Sequence, residues 1–232
     1  MEFVVSEDLQ GILWNFVQES FDGVSLLSGK QVSEASNDIS WPLFCLIKTE
    51  ISMQGNFDAA IQHLSRAVTR LEELPVNITR VLLGHPLNFI IQSLKHHTRT
   101  EKAALSEKNH ENLLQFASKF RRRPQFDVAY LTLLHPTKPD AKKALHCLRL
   151  QAVRLAATEK ADSEVAARNW VMLGLDTANF LFQRQQITDA EWVVEFLQKN
   201  FPRQLGSGKQ QQLEQAQAEA ASLELLEGLC LS

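Results

Sequence analysis

A chain of 232 residues with 44% hydrophobic and 22% charged side chains has enough apolar surface for a sizeable core, which excludes wholesale disorder. Nine Gly and seven Pro supply few forced turns over this length, which disfavours a fold of many short strands. The net charge of −3 divides into −6 over residues 1–94, +8 over 95–160 and −5 over 161–232, a basic middle between acidic ends that suggests one polarised surface.

Taken in chain order, Ser6 with Glu7 and Asp8 starts a helix carrying Leu9, Ile12, Leu13, Phe16 and Val17, which ends near Asp22-Gly23. The polar run 28–40 is read as a loop or a short helical turn, with Trp41-Pro42 opening the next helix. Phe44, Ile47 and Ile51 share one face of it, and Gly55-Asn56 breaks it. Phe57, Ala60, Ile61, Leu64, Ala67, Val68 and Leu71 define the following helix, stopped by Pro75. Pro86 is read as the start of a helix with Leu87, Ile90, Ile91 and Leu94. Leu113, Leu114, Phe116, Ala117 and Phe120 mark another, ended by Arg121 to Pro124 with cations at its negative end.

Phe126, Ala129, Tyr130 and Leu133 predict a short helix before the loop 135–139, rich in Pro. Asp140 caps a helix with Ala141, Ala144, Leu145, Leu148 and Leu155; Asp162 or Ser163 caps one with Trp170, Leu173, Thr177, Ala178, Leu181 and Phe182. Thr188 with Glu191 has the spacing of a capping box, ahead of Trp192, Val193, Phe196 and Leu197. Residues 203–209 read as a linker. Residues 210–232 hold an amphipathic helix through Leu213, Ala216, Ala220, Leu223 and Leu226. The expected fold is all-α, with antiparallel helical hairpins stacked as an array or an irregular bundle.

From Phe44 to Pro75 the spacing is that of a repeat. Phe44, Ile47 and Ile51 lie on a first helix, Gly55 at the turn, and Phe57, Ala60, Leu64 and Ala67 on a second. This segment resembles a tetratricopeptide (TPR) repeat, in which small residues let the two helices approach and large ones lock into the neighbouring hairpin. Lys48 stands where the family has a small residue, and Pro75 comes three residues late. A second, partial copy runs from Gly174 to Pro202: Ala178, Leu181, Ala190, Val194 and Pro202 fit, while Gly174 and Leu197 depart from the pattern. Asp140 to Leu155 resembles the second helix of a third, degenerate unit.

The resemblance implies a TPR-like domain over 1–202 and a non-enzymatic adaptor or scaffold subunit that binds protein partners. It also implies contacts at the first-helix positions Cys45, Lys48, Thr49 and Ser52.

No HExxH arrangement joins the seven histidines, no CxxC pair exists, and Gly206-Ser207-Gly208-Lys209 lacks the spacing of a phosphate loop. No catalytic residue, metal site or cofactor is therefore expected. Lys119, Arg121, Arg122 and Arg123 cluster beside Phe120 and Phe126 as candidate partner-binding residues. Lys95, His96, His97 and Arg99 form a second basic group, and Lys138, Lys142 and Lys143 a third.

Such groups solvate helices, meet an acidic protein surface, or hold phosphates while aromatics stack on bases. The alternative function is thus nucleic-acid association through the basic region 95–143. Self-association, acidic end to basic middle, is a further expectation. The C-terminal helix either caps the fold or docks a partner. Three unpaired cysteines, Cys45, Cys147 and Cys230, suit a cytoplasmic or nuclear setting, and neither a signal peptide nor a membrane span is expected.

Overall fold

The computed structural model describes residues 7–97, 105–121, 124–157, 163–206 and 218. Among these, nine α-helices, one 3-10 turn and a short helical stretch at 202–206 form the regular structure, and there is no strand. The helices are α1 (Glu7–Asp22), α2 (Gly29–Gln54), α3 (Phe57–Arg70), α4 (Val76–His97), α5 (Glu107–Phe120), α6 (Pro124–Leu133), α7 (Ala141–Ala157), α8 (Glu164–Gln183) and α9 (Ile187–Asn200). The fold is all-α. The chain divides into two compact units, Met1–Val128 and Ala129–Ser232, so the 1–202 grouping read from sequence spans parts of both.

In the first unit α2 is the central element, packed against α1, α3 and α4. The sequence reading placed its start at Trp41. The helix begins twelve residues earlier and runs through Pro42. Three local facts explain this. Ser28 and Gln31 form a reciprocal capping box, satisfying two backbone donors that a helix start leaves open. Val32 is buried within the polar run, so the run has an inward face. Pro42 removes one backbone bond at about 3 kcal/mol, a loss that burial of Leu43, Phe44, Leu46 and Ile47 just beyond it offsets.

Pro86 behaves the same way. It lies inside α4, which starts ten residues before the expected position, because Leu82, Leu83 and Leu87 on either side of it are fully buried.

The α2–α3 turn follows the expectation closely. Gly55 adopts φ 62, the left-handed region, and its N–H reaches back to the Ile51 carbonyl. Asn56 then caps α3 by accepting from the Ala59 N–H at 3.0 Å. Phe57, Ala60, Ile61, Leu64 and Ala67 are all buried. Asp58 ties the start of α3 to the start of α5, accepting from Asn109 Nδ2 at 2.9 Å and from the Ser106 N–H at 3.0 Å.

In the second unit α8 packs on both α7 and α9. Ser163 caps α8 through the Ala166 N–H, and Asp140 accepts from the Lys142 N–H at the start of α7. The Thr188–Glu191 capping box is not formed: α9 begins at Ile187, with Gln186 as its N-cap and Thr188 already inside the helix. Gln185 takes φ 56 in the tight turn before it, which moves the helix start upstream of Thr188.

Gly174 on α8 faces Leu197 on α9. A Cβ on Gly174 would stand 2.7 Å from Leu197 Cδ2 and 2.9 Å from Cδ1. The two positions that depart from the TPR pattern therefore meet. Of the expected linker, residues 203–206 belong to a short helical stretch that begins at Pro202; 207–209 lie outside the described residues, as does the C-terminal helix apart from Ala218.

Candidate functional site

Helical periodicity lines up Trp41, Cys45, Lys48 and Ser52 of α2 at offsets of roughly four, seven and eleven residues, with Thr49 beside them. Trp41 is 56% exposed; Lys48 and Ser52 are exposed, and Cys45 and Thr49 half-buried. The opposite face of the helix is core. The head of this row is backed by an aromatic cluster. Trp41 lies 5.4 Å from Phe44, Phe44 stacks on His85 of α4 at 4.3 Å and 13°, and Phe89 meets Phe44 edge-on at 5.2 Å.

Each such pair adds about 0.5–1.5 kcal/mol beyond its area, so the cluster fixes the ring that Trp41 leans on. Three members, Trp41, His85 and Phe89, are absent from the sequence reading of the site. The i, i+3 spacing of Trp41 and Phe44 was legible, but His85 precedes the helix start expected at Pro86, and the meeting across α2 and α4 was not legible. The Cys45 thiol is pushed up by burial, with Lys48 opposing, which favours its protonated form.

The basic residues separate by role. Lys119 is exposed, with its ammonium 5.3 Å from the Phe120 ring. Arg121 instead turns inward: its Nε donates to Asp127 Oδ2 at 2.7 Å, while the buried Lys95 donates to Oδ1 of the same carboxylate at 3.1 Å. Lys95 also sits 4.4 Å from the Phe126 ring. Burial lowers the Lys95 pKa; Asp127 opposes the shift and Arg121 adds to it. Two of the cations read as a surface patch thus surround one buried carboxylate. Arg122 and Arg123 lie outside the described residues, as does Arg99; Lys138, Lys142 and Lys143 are exposed.

The pair that most resembles catalytic chemistry is Glu50 of α2 with His63 of α3. His63 Nε2 is 3.5 Å from Glu50 Oε1, which also accepts from Gln10 Nε2 at 2.7 Å. Both side chains are buried, and Glu50 Oε2 and His63 Nδ1 have no hydrogen-bond partner among the described residues. Burial raises the Glu50 pKa and, with help from Arg66, lowers that of His63 to about 4. Both groups are therefore pushed toward their uncharged forms. The Trp14 ring lies 6.0 Å from His63, and the Arg66 guanidinium sits 5.7 Å from Trp14. The arrangement fastens α1 onto α2 and α3.

Comparison with family models, curated proteins and solved structures returns no match. The residues themselves therefore carry the functional argument. Of the sequence-derived candidates, α2 brings together Lys48, Thr49 and Ser52. Arg121 belongs to the internal Asp127 cluster. Lys119 remains an exposed cation near the end of α5. No described helix is long and apolar enough to cross a membrane.

Proposed function

We propose that this chain is a non-enzymatic scaffold or adaptor subunit that holds a protein partner on the α2 face. The observation that carries the reading is the exposed Trp41 at the head of the row Cys45, Lys48, Thr49 and Ser52, braced by Phe44, His85 and Phe89. A rigidly backed, exposed Trp is characteristic of binding hot spots, where few residues carry most of the affinity. Lys48 favours an acidic side chain on the partner.

The TPR-like reading supports the same conclusion. First helices of such repeats present their exposed positions to partners, and the helical pairs α2–α3 and α8–α9 cover the two stretches that resemble the repeat. They also share a size relation. Phe44 and Ala67 stand 23 residues apart as large and small; Gly174 and Leu197, at the same separation, stand as small and large. The nucleic-acid alternative is weaker because Lys95 and Arg121 already serve Asp127. Free thiols at Cys45 and Cys147 suit the cytosol or nucleus.

Photo-crosslinking tests the assignment. A benzophenone amino acid at Ser52 of the full chain, expressed in cells, is expected to capture a discrete, nuclease-resistant protein adduct. The same probe at Glu72, exposed and outside α2, is expected not to. Trp41→Ala with Lys48→Glu is expected to weaken capture by about 30-fold, the loss of one hot spot. Equal capture from both positions, or capture indifferent to the double substitution, refutes the placement.

A further inference from the structure

The start of α7 and the turn joining α8 to α9 border a cleft of about 350 Å³, within the range that holds small organic ligands. Its polar lining is unevenly committed. The two acids are in use: Asp140 accepts from the Lys142 N–H at 2.8 Å, and Asp189 accepts from Arg149 at 2.7 Å. The side-chain donors are not. Among the described residues no carboxylate pairs with Lys142 or Arg184, and the Gln186 side chain makes no hydrogen bond. Arg184 is instead braced by the Phe180 ring, 5.1 Å from its guanidinium.

Backbone geometry brings these donors together. Gln185 takes φ 56, and the N–H groups of Arg184 and Gln186 both reach back to the Leu181 carbonyl. The reversal leaves Arg184 and Gln186 lining the cleft, with Lys142 supplied by the first turn of α7. Pro139, Leu145 and Phe180 add an apolar wall. A cleft whose acids are spent and whose donors are uncommitted suits a ligand rich in acceptor oxygens. Two cations match the charge of about −1.5 to −2 that a phosphate monoester carries at neutral pH, where a carboxylate brings only one.

We propose that this cleft binds a small phosphate monoester, its phosphoryl oxygens held by Lys142, Arg184 and Gln186 and its organic part against Pro139, Leu145 and Phe180. The site lies wholly within the second unit, so it stands or falls independently of the α2 face.

Phenyl phosphate titrated into the full chain, followed by calorimetry and by amide NMR shifts, tests it. Saturable binding is expected with a Kd of about 0.1–1 mM, ordinary for a ligand this small, and with shifts confined to residues 139–145 and 180–190. Lys142 and Arg184 are exposed, so Lys142→Ala and Arg184→Ala leave the core intact; each is expected to weaken binding about tenfold. Asp189→Asn removes a negative charge from the rim and is expected to tighten binding about threefold, a gain that a loss of folding could not produce. Benzoate, with one charge, is expected to bind at least about threefold more weakly than phenyl phosphate. Benzoate binding as tightly overturns the phosphoryl assignment. No saturation by about 20 mM phenyl phosphate overturns the site. So does binding indifferent to Arg184→Ala, or shifts spread equally over other exposed cations such as Lys119 and Lys138, which would be charge screening alone.

Discussion

Filling the space at Gly174 tests how closely α8 and α9 approach. In the interior of an exposed helix, Gly→Ala stabilises by about 0.5–1 kcal/mol, since Ala loses less backbone freedom on folding. Here the new Cβ would stand 2.7 Å from Leu197 Cδ2, 2.9 Å from Cδ1 and 3.0 Å from Cγ, against the ~3.5–4.0 Å that carbon atoms prefer. Leu197 is fully buried and cannot swing into solvent. Overpacking of this kind costs about 1–3 kcal/mol, so Gly174→Ala is expected to destabilise by about 1–2 kcal/mol net.

Leu197→Ala alone leaves a cavity and is expected to cost about 2–5 kcal/mol. With both changes the new methyl occupies part of that cavity, so the double variant is expected to be no less stable than Leu197→Ala, a coupling of about 1–3 kcal/mol. Urea unfolding followed by circular dichroism and by Trp fluorescence, through Trp170 and Trp192 of the second unit, gives all four corners of the cycle. A neutral or stabilising Gly174→Ala, with additive effects in the double variant, would mean that helix propensity alone governs the site and would refute the close approach.

Three further outcomes are expected. Asp127→Asn leaves Lys95 and Arg121 facing each other without their shared carboxylate, and is expected to lower unfolding free energy by about 3–5 kcal/mol in denaturant titration; a loss below about 1 kcal/mol contradicts the buried cluster. His63 has its pKa lowered in the folded state from 6.5 to about 4, so the unfolded chain takes up its proton first. Its contribution is present above pH 6.5 and is lost as pH falls toward about 4. The raised pKa of Glu50 works in the opposite sense, adding stability at low pH that is lost as pH rises through its folded value. Stability curves of the wild type and His63→Phe measured between pH 7 and 4 (about one unit per point) are expected to differ most at the acid end, and parallel curves exclude the assignment. Gly55→Ala forces a Cβ into φ 62 and is expected to cost about 1 kcal/mol in thermal unfolding, although there is open space around it; an unchanged midpoint argues against the left-handed turn.

Local chemistry in the sequence was enough for most helices and their inward faces. The row from Phe57 to Ala67 repeats at helical spacing, Gly55 is the residue for a left-handed turn, and Ser163 can cap α8 whatever lies around it. These depend on residues within about one turn of one another, which periodicity and capping report directly. Tertiary structure decided the rest. Whether a helix stops at Pro42 or Pro86 depends on how much burial beyond the proline offsets a lost backbone bond, and only the packed neighbours set that amount. Arg121 is a surface cation until Lys95, 26 positions earlier, is brought to the same Asp127 carboxylate. Phe44 is one helix's apolar residue until α4 lays His85 and Phe89 against it and leaves Trp41 exposed on top. Gly174 and Leu197 are two departures from a pattern until their helices cross, and then the missing side chain of one is the space for the other. Charge pairing and side-chain packing act over a few ångströms in space, and no spacing along the chain encodes which distant residues come that close.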